Sequence, residues 1–178
     1  MVKIFLDTEF IERPSTIELI SIGVVAEDGR ELYLENAEAD LTYADDWIKT
    51  NVLAHLQGGT CRVSKLEMRQ EILKFIGSDA DGRWTKPEFW AYYADYDWVV
   101  FCWIFGRMID LPPHFPMYCH DFKQTMDTFG IKKSDLPKQS GTEHHALADA
   151  RWLAEAFKYT RSIHKTDGGG RAATGCPE

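Results

Sequence analysis

The first part of the chain has the pattern of a three-stranded meander. Apolar residues alternate along residues 2–7, which is the period of a β-strand. Residues 16–26 are rich in β-branched side chains and almost continuously apolar. Asp28-Gly29 is a hairpin-turn signal, and residues 31–34 supply the returning strand. We therefore predict three antiparallel strands over these ranges.

Helical spacing of apolar residues marks most of the remaining chain, with two short extended segments in between. Helices are predicted over residues 43–53, 64–76, 95–108, 121–129 and 143–163, and strands over residues 88–93 and 115–119. These elements predict an α/β fold with a mixed five-stranded sheet, antiparallel in its first three strands and flanked by helices. The first strand is not followed by a glycine-rich loop, which excludes the doubly wound dinucleotide-binding pattern.

Length and composition indicate one folded unit. The chain has 178 residues, of which 44% are hydrophobic, so it can bury a substantial core. There is no internal repeat and no linker between two cores. Residues 166–178 lack apolar content, so we expect a single domain over residues 1–165 and a flexible C-terminal tail after it.

The charge balance narrows the class of partner. Twenty basic residues against 28 acidic ones give a formal net charge of −8. This balance argues against binding of long nucleic-acid duplexes through a broad basic surface. A nucleic-acid substrate would need positive charge from another source.

Cysteine usage and hydropathy predict a soluble cytoplasmic protein. The four cysteines show no C-x-x-C spacing, and the first residues carry no signal-peptide pattern. The longest apolar run, residues 98–105, is far shorter than the ~20 residues of a membrane span. The cysteines are Cys61, Cys102, Cys119 and Cys176.

Two carboxylates end the first predicted strand. Because side chains alternate along a strand, Asp7 and Glu9 face the same way if the extended backbone continues to Glu9. Like charges this close require a cation, and Mg²⁺ or Mn²⁺ prefers oxygen ligands. Taken alone, the same pattern is also typical of a solvated strand end.

Asp97 occupies the start of the predicted helix over residues 95–108. A helix N-terminus favours an acidic residue, but Asp95 is the better candidate for the N-cap. Asp97 then lies on the helix face shared with Val100 and Phe101, pointing towards the sheet. A buried carboxylate is costly without a partner, which favours a functional role.

A third group of polar residues lies at the start of the last predicted helix. His145 and Asp149 are one helical turn apart, so periodicity alone favours His145 as the partner of Asp149. His144 would reach the same side only from a loop that leads into the helix. A pair of surface histidines is the alternative, and zinc is disfavoured because no cysteine lies at suitable spacing.

Together, four carboxylates from three segments and one histidine predict an all-oxygen site for two divalent ions with a general base beside it. The segments FLDTEF, Tyr96-Asp97 and HHALAD resemble the three motifs of the DEDDh 3′–5′ exonucleases, which have an RNase H-like fold. FLDTEFIE followed by TIELISIGVVAEDGRE resembles the start of the mycobacterial RNase AS group, exoribonucleases that act on polyadenylate.

This resemblance implies a homodimer that removes nucleotides from a 3′ end and releases 5′-monophosphates. Its H-x-A-L-x-D pattern assigns the general base to His144 rather than His145. We expect Asp7, Glu9 and Asp149 to hold one ion, Asp7 to bridge to a second, and Asp97 to support the second directly or through water. His144 would accept a proton from the attacking water and must be neutral to do so.

Two further residues are candidates for substrate binding. Phe10 could stack on the terminal base or simply cap the core. Glu18 could accept a hydrogen bond from the exocyclic amine of adenine, or pair with a neighbouring structural group. Lys49, Arg13, Arg62 and Lys65 are candidates for phosphate contacts, each with the alternative of an ordinary surface charge.

Three other functions compete with this interpretation. A DNA-trimming exonuclease of the proofreading type would keep the same site and differ only in substrate. A non-catalytic nucleic-acid-binding module would be expected to lack a carboxylate or the base, and all five positions are filled here. Structural Ca²⁺ binding is disfavoured because no D-x-D-x-D-G loop is present.

Overall fold

One twisted sheet forms the centre of the molecule. The computed structural model describes residues 1–77 and 86–167, with only the backbone described at 164–167. In these residues six strands pair in the order β4-β3-β2-β1-β5-β6. The first three are antiparallel neighbours, and the other pairs are parallel. The strands are β1 (Val2–Arg13), β2 (Thr16–Ala26), β3 (Glu31–Asn36), β4 (Arg62–Val63), β5 (Pro87–Ala91) and β6 (His120–Asp121).

Five α-helices flank the sheet in the described ranges. They are α1 (Asp46–Asn51), α2 (Lys65–Ile76), α3 (Ala94–Phe105), α4 (Phe122–Phe129) and α5 (Ala146–Asp167). Side-chain caps explain where some of them begin. Asp45 accepts a hydrogen bond from the Ile48 amide, and Ser64 forms a capping box with Glu67.

Both faces of the sheet are buried, and β1 supplies side chains to each. Ile4 and Leu6 pack into a core with α2 and α3, whereas Phe5 packs on the opposite face with α4 and α5. This two-sided burial explains why apolar side chains occupy successive positions in β1. The odd-numbered residues of β1 before its register shift therefore face α5, including Asp7.

The structure confirms the mixed α/β sheet and corrects several boundaries. The sheet has six strands rather than five, because the short β4 pairs with β3. The first strand continues to Arg13, since β2 pairs along its whole length and the chain turns only at Pro14 and Ser15. The prediction of a strand over residues 115–119 is wrong, because the strand in this part of the chain is β6, which begins only at His120. Prolines flank Phe115, whose ring packs against Phe89 in the core instead.

Helix boundaries differ for local reasons. The last helix begins at Ala146, three residues later than predicted, and extends to Asp167. Tyr93 rather than Asp95 occupies the N-cap of α3, and its backbone is left-handed. The predicted helix over residues 43–53 is reduced to α1 and short 3-10 turns.

The predicted tail begins within the end of α5, and its remainder, residues 168–178, lies outside the described residues. In the part of the chain that the structure describes, no helix is long and apolar enough to cross a membrane.

A glycine allows α5 to start directly on the sheet. Gly23 of β2 lies between Asp7 of β1 and Tyr33 of β3 in the pairing register, so these residues form a cross-sheet row on one face. A Cβ atom at Gly23 would lie 2.3 Å from the backbone of Ala146 and Leu147. The first turn of α5 therefore depends on the absence of a side chain here.

We expect Gly23→Ala to destabilise the protein by about 3 kcal/mol or more, because backbone atoms of α5 must move to admit the methyl group. Gly29→Ala is the matched control, because a Cβ atom at this position meets nothing within 4 Å. Its positive φ disfavours alanine, so we expect this variant to lose about 1 kcal/mol of stability. Urea unfolding of both variants measures the difference. Equal losses would show that the close approach at Gly23 is unimportant.

Candidate active site

Three carboxylates from two elements converge at the end of the cross-sheet row. Asp7 and Glu9 lie on β1, and Asp149 lies in the first turn of α5. Oxygen atoms from the three side chains all lie within 4.8 Å of one another. The sheet register shifts between Glu9 and Phe10, so the strand remains regular until it has presented both carboxylates.

Asp97 reaches the same pocket from α3 on the other side of the sheet. Its side chain is only 5% exposed. Its Oδ1 atom accepts a hydrogen bond from the Thr8 amide at 2.8 Å and another from the Thr8 hydroxyl at 2.6 Å. These bonds attach α3 to β1 between Asp7 and Glu9, and Asp97 lies beside the three-carboxylate cluster rather than within it.

Burial and mutual repulsion disfavour charge in this site. Burial, with the neighbouring carboxylates Asp149 and Asp97 adding to it, raises the pKa of Glu9 to about 8. Burial also raises the pKa of Asp97 to about 7 although the hydrogen bonds from Thr8 oppose the shift. The pKa values of Asp7 and Asp149 are raised as well, chiefly by burial.

The donor set fits a divalent cation. The clustered ligand atoms are all carboxylate oxygens, and His144 is the only basic side chain among the residues that line the pocket. Hard ions such as Mg²⁺ and Mn²⁺ prefer such ligands. A divalent cation would remove the repulsion that raises these pKa values.

The two histidines have different surroundings. His144 lines the pocket from the loop before α5, with a left-handed backbone (φ 63°) and its ring edge-on to Trp47 at 4.7 Å. The His145 ring instead stacks on Tyr33, with centroids 4.5 Å apart. The periodicity argument for His145 does not hold because α5 begins only at Ala146, which leaves both histidines outside the helix.

Aromatic side chains form much of the remaining wall. The pocket has a volume of about 250 Å³ and is lined by the four acidic residues, Thr8, His144 and four aromatic residues. Phe10 lies 5.6 Å from the Tyr96 ring, and the Tyr96 hydroxyl donates to Glu12 at 3.0 Å. The aromatic residues are Phe10, Tyr92, Tyr93 and Tyr96.

Glu18 does not line this pocket. It is paired with Arg13 at 3.9 Å and Lys65 at 3.7 Å. Lys49 is also engaged, with Asp46 at 3.2 Å. Three of the four candidate phosphate contacts therefore already have acidic partners, and Arg62 is exposed on β4.

Sequence reasoning missed Thr8 and Gln139. The Gln139 amide donates to Asp149 Oδ1 at 2.5 Å from the loop before α5. Nothing in a polar loop indicates such a long-range contact. For Thr8, its position between two candidate carboxylates was a usable signal, because alternation turns it towards the opposite face of the strand.

Solved structures establish the fold of this chain. Pop2p of S. pombe, in its Mg²⁺- and Mn²⁺-bound form, gives a TM-score of 0.61 at 16% identity over 95% of this chain and 86% of that one. The nuclease domain of 3′hExo, a DEDDh family member bound to rAMP, gives a TM-score of 0.60 at 12% identity, covering 94% and 92% of the two chains. The fold is the RNase H-like fold of DEDDh nucleases.

Sequence comparison identifies the family. The model of the 3′–5′ exoribonuclease Rv2179c-like domain matches residues 2–161. The 3′–5′ exoribonuclease Rv2179c of Mycobacterium tuberculosis is 38% identical over 173 residues, which are 96% of this chain and 98% of that protein. The chain belongs to this exoribonuclease family and is an enzyme of that class, which confirms the resemblance found in the sequence.

The raised pKa values predict how stability depends on pH and metal. Glu9 has an ordinary pKa of 4.5 and a folded-state pKa of about 8. Its contribution to stability is therefore complete below about pH 4.5 and is lost as the pH rises through about 8. Without divalent ions we expect Tm to fall between about pH 5 and pH 8, and Mg²⁺ or Mn²⁺ to raise Tm more at the higher pH.

Thermal melts of Glu9→Gln provide the comparison, because this variant should lose most of the metal response. Asp46→Asn, at an exposed acidic residue of α1, is the matched control and should respond like the wild type. An equal metal response in Glu9→Gln and the wild type would contradict the site.

Proposed function

We propose that this enzyme removes nucleotides from the 3′ end of single-stranded RNA, releases 5′-monophosphates and prefers adenylate. The observation that carries the proposal is the convergence of Asp7, Glu9, Asp149 and His144 on one pocket in a chain of this family. The relative from M. tuberculosis is named a 3′–5′ exoribonuclease, and the 3′hExo domain was solved with rAMP.

The acidic residues would hold two divalent ions. Asp7, Glu9 and Asp149 would hold one ion, and Asp7 and Asp97 would hold the second, Asp97 directly or through water. When bound, such ions lower the pKa of the attacking water and stabilise the leaving oxygen. The bonds from Thr8 fix the orientation of the Asp97 carboxylate, so its role depends on β1 as well as α3.

His144 is assigned as the general base. It approaches the pocket from a loop, and the edge contact with Trp47 limits the movement of its ring. A neutral imidazole nitrogen would accept the proton as the water attacks the phosphorus of the terminal phosphodiester. The P–O3′ bond breaks, so the terminal nucleotide is released as a 5′-monophosphate and the O3′ of the shortened chain takes up a proton to become its new 3′-hydroxyl.

The aromatic wall suits an unpaired 3′ end. Phe10 can stack on the terminal base, and Tyr96 supports the Phe10 ring from the side. A single-stranded end needs few phosphate contacts, because bound divalent ions supply positive charge at the reacting group. This reconciles an RNA substrate with a net charge of −8.

We also propose a cytoplasmic homodimer. Among the described cysteines, Cys61, Cys102 and Cys119 are free, which supports a reducing compartment. Trp103 of α3 is exposed and available for self-association, whereas its neighbours Phe105 and Trp98 are occupied: Phe105 is buried and Trp98 packs on Phe101.

Metal-dependent shortening of RNA tests the reaction. We expect 5′-labelled oligo-A to give a ladder that shortens from the 3′ end with Mg²⁺ or Mn²⁺ and is abolished by EDTA. Asp149→Asn should lower kcat at least about 100-fold, because metal binding is impaired, and Asp46→Asn should match the wild type. Shortening of a DNA oligonucleotide in preference to RNA, or full activity of Asp149→Asn, would contradict the proposal.

The adenylate preference is tested through Glu18. If its carboxylate reads the adenine amine, Glu18→Gln should reduce the ratio of oligo-A to oligo-C degradation about 5-fold or more, which corresponds to about 1 kcal/mol. Lys65→Gln removes one ion-pair partner of Glu18 without removing the acceptor, and serves as the control. An unchanged ratio in Glu18→Gln would show that Glu18 does not read the base and serves only as the ion-pair partner of Arg13 and Lys65.

A further inference from the structure

A second buried carboxylate lies outside the candidate active site. Glu35, near the end of β3, is only 2% exposed. Its side chain accepts hydrogen bonds from the amide of Gln57 at 2.5 Å, the amide of Gly58 at 3.0 Å and the hydroxyl of Tyr33 at 3.1 Å. These bonds satisfy the buried charge and attach the loop after α1 to the sheet.

The same loop contacts the segment that carries His144. The Gln57 side chain lies with its Nε2 atom 3.2 Å from Nε2 of His145, and its Oε1 atom accepts from Cys61 Sγ at 3.9 Å. An amide NH₂ only donates, so this contact is a hydrogen bond when His145 Nε2 is the unprotonated ring nitrogen. Tyr33 holds the other side of this ring by stacking at 4.5 Å.

His145 lies between His144 and the first residue of α5. The carbonyl of His145 accepts the hydrogen bond from the Asp149 amide at 3.0 Å as α5 begins. The preceding residue, His144, has a left-handed backbone, which is costly for a residue with a Cβ atom and persists only where neighbouring contacts enforce it. The ring contacts of His145 are one such constraint on the neighbouring residue, in addition to the edge contact of His144 itself with Trp47.

We propose that His145, Gln57 and Glu35 are positioning residues that hold His144 in its orientation towards the pocket. None of the three lines the pocket, so they act through His144 and do not contact the reacting atoms. The inference rests on the proposed function, because it takes His144 as the proton acceptor. It gives His145 a role that its one-turn spacing from Asp149 did not suggest.

Two single variants remove the contact between Gln57 and His145 in different ways. Gln57→Ala removes the amide donor, and His145→Phe retains a ring against Tyr33 while removing the acceptor. We expect each to lower kcat about 10-fold with KM nearly unchanged, since misplacement of a catalytic group by a fraction of an ångström acts on the transition state. His145→Gln, which restores an acceptor, should recover part of kcat. Gln70→Ala, at an exposed glutamine of α2, is the matched control.

The His144→Ala background separates positioning from general damage. In the His144→Ala enzyme there is no imidazole for Gln57 and His145 to position. Adding Gln57→Ala or His145→Phe to it should therefore cause no further loss of kcat. The same fold loss in both backgrounds, a change in KM alone, or unchanged kcat in the single variants would overturn the inference.

The same measurements distinguish this inference from the proposed function. His144→Ala itself should lower kcat by about 100-fold or more. A fully active His144→Ala enzyme would overturn both. An impaired His144→Ala enzyme with fully active Gln57→Ala and His145→Phe variants would overturn the positioning role alone.

Discussion

The close approach of α5 to the sheet at Gly23 is the constraint on which the site depends. The first turn of α5 lies on the row formed by Asp7, Gly23 and Tyr33, and a single methyl group on the central residue would collide with it. This contact brings Asp149 beside Asp7 and Glu9. The same row places His145 over Tyr33, so one glycine sets the position of both a metal-ligand candidate and the loop that carries His144.

The folded chain concentrates charges that repel one another. Burial and neighbouring carboxylates raise the pKa values of Asp7, Glu9 and Asp97, which means that the site is least stable where it is fully ionised. The cores on both faces of the sheet and the bonds from Thr8 to Asp97 hold the elements together against this repulsion. A bound cation would convert the repulsion into attraction, so stability and function are coupled in this pocket.

Much of this arrangement could be predicted from the sequence because the acidic residues follow local rules. Alternation along a strand places Asp7 and Glu9 on one face, and helical spacing places Asp97 towards the sheet. The choice between His144 and His145 depends on where a helix begins, which periodicity does not determine. Contacts between distant segments, such as Gln139 with Asp149 or Gln57 with His145, leave no signal in the sequence. The short β4 and β6 were missed or misplaced because two residues carry no periodicity.

The proposed reaction depends on joint binding of divalent ions by Asp7, Glu9 and Asp149. Anomalous diffraction from crystals grown with Mn²⁺ tests it most directly, because the ions are located independently of any activity. We expect anomalous peaks within bonding distance of these three carboxylates, with a second peak towards Asp97. Crystals with Mn²⁺ at a concentration that supports RNA cleavage but no peak at these carboxylates would contradict it.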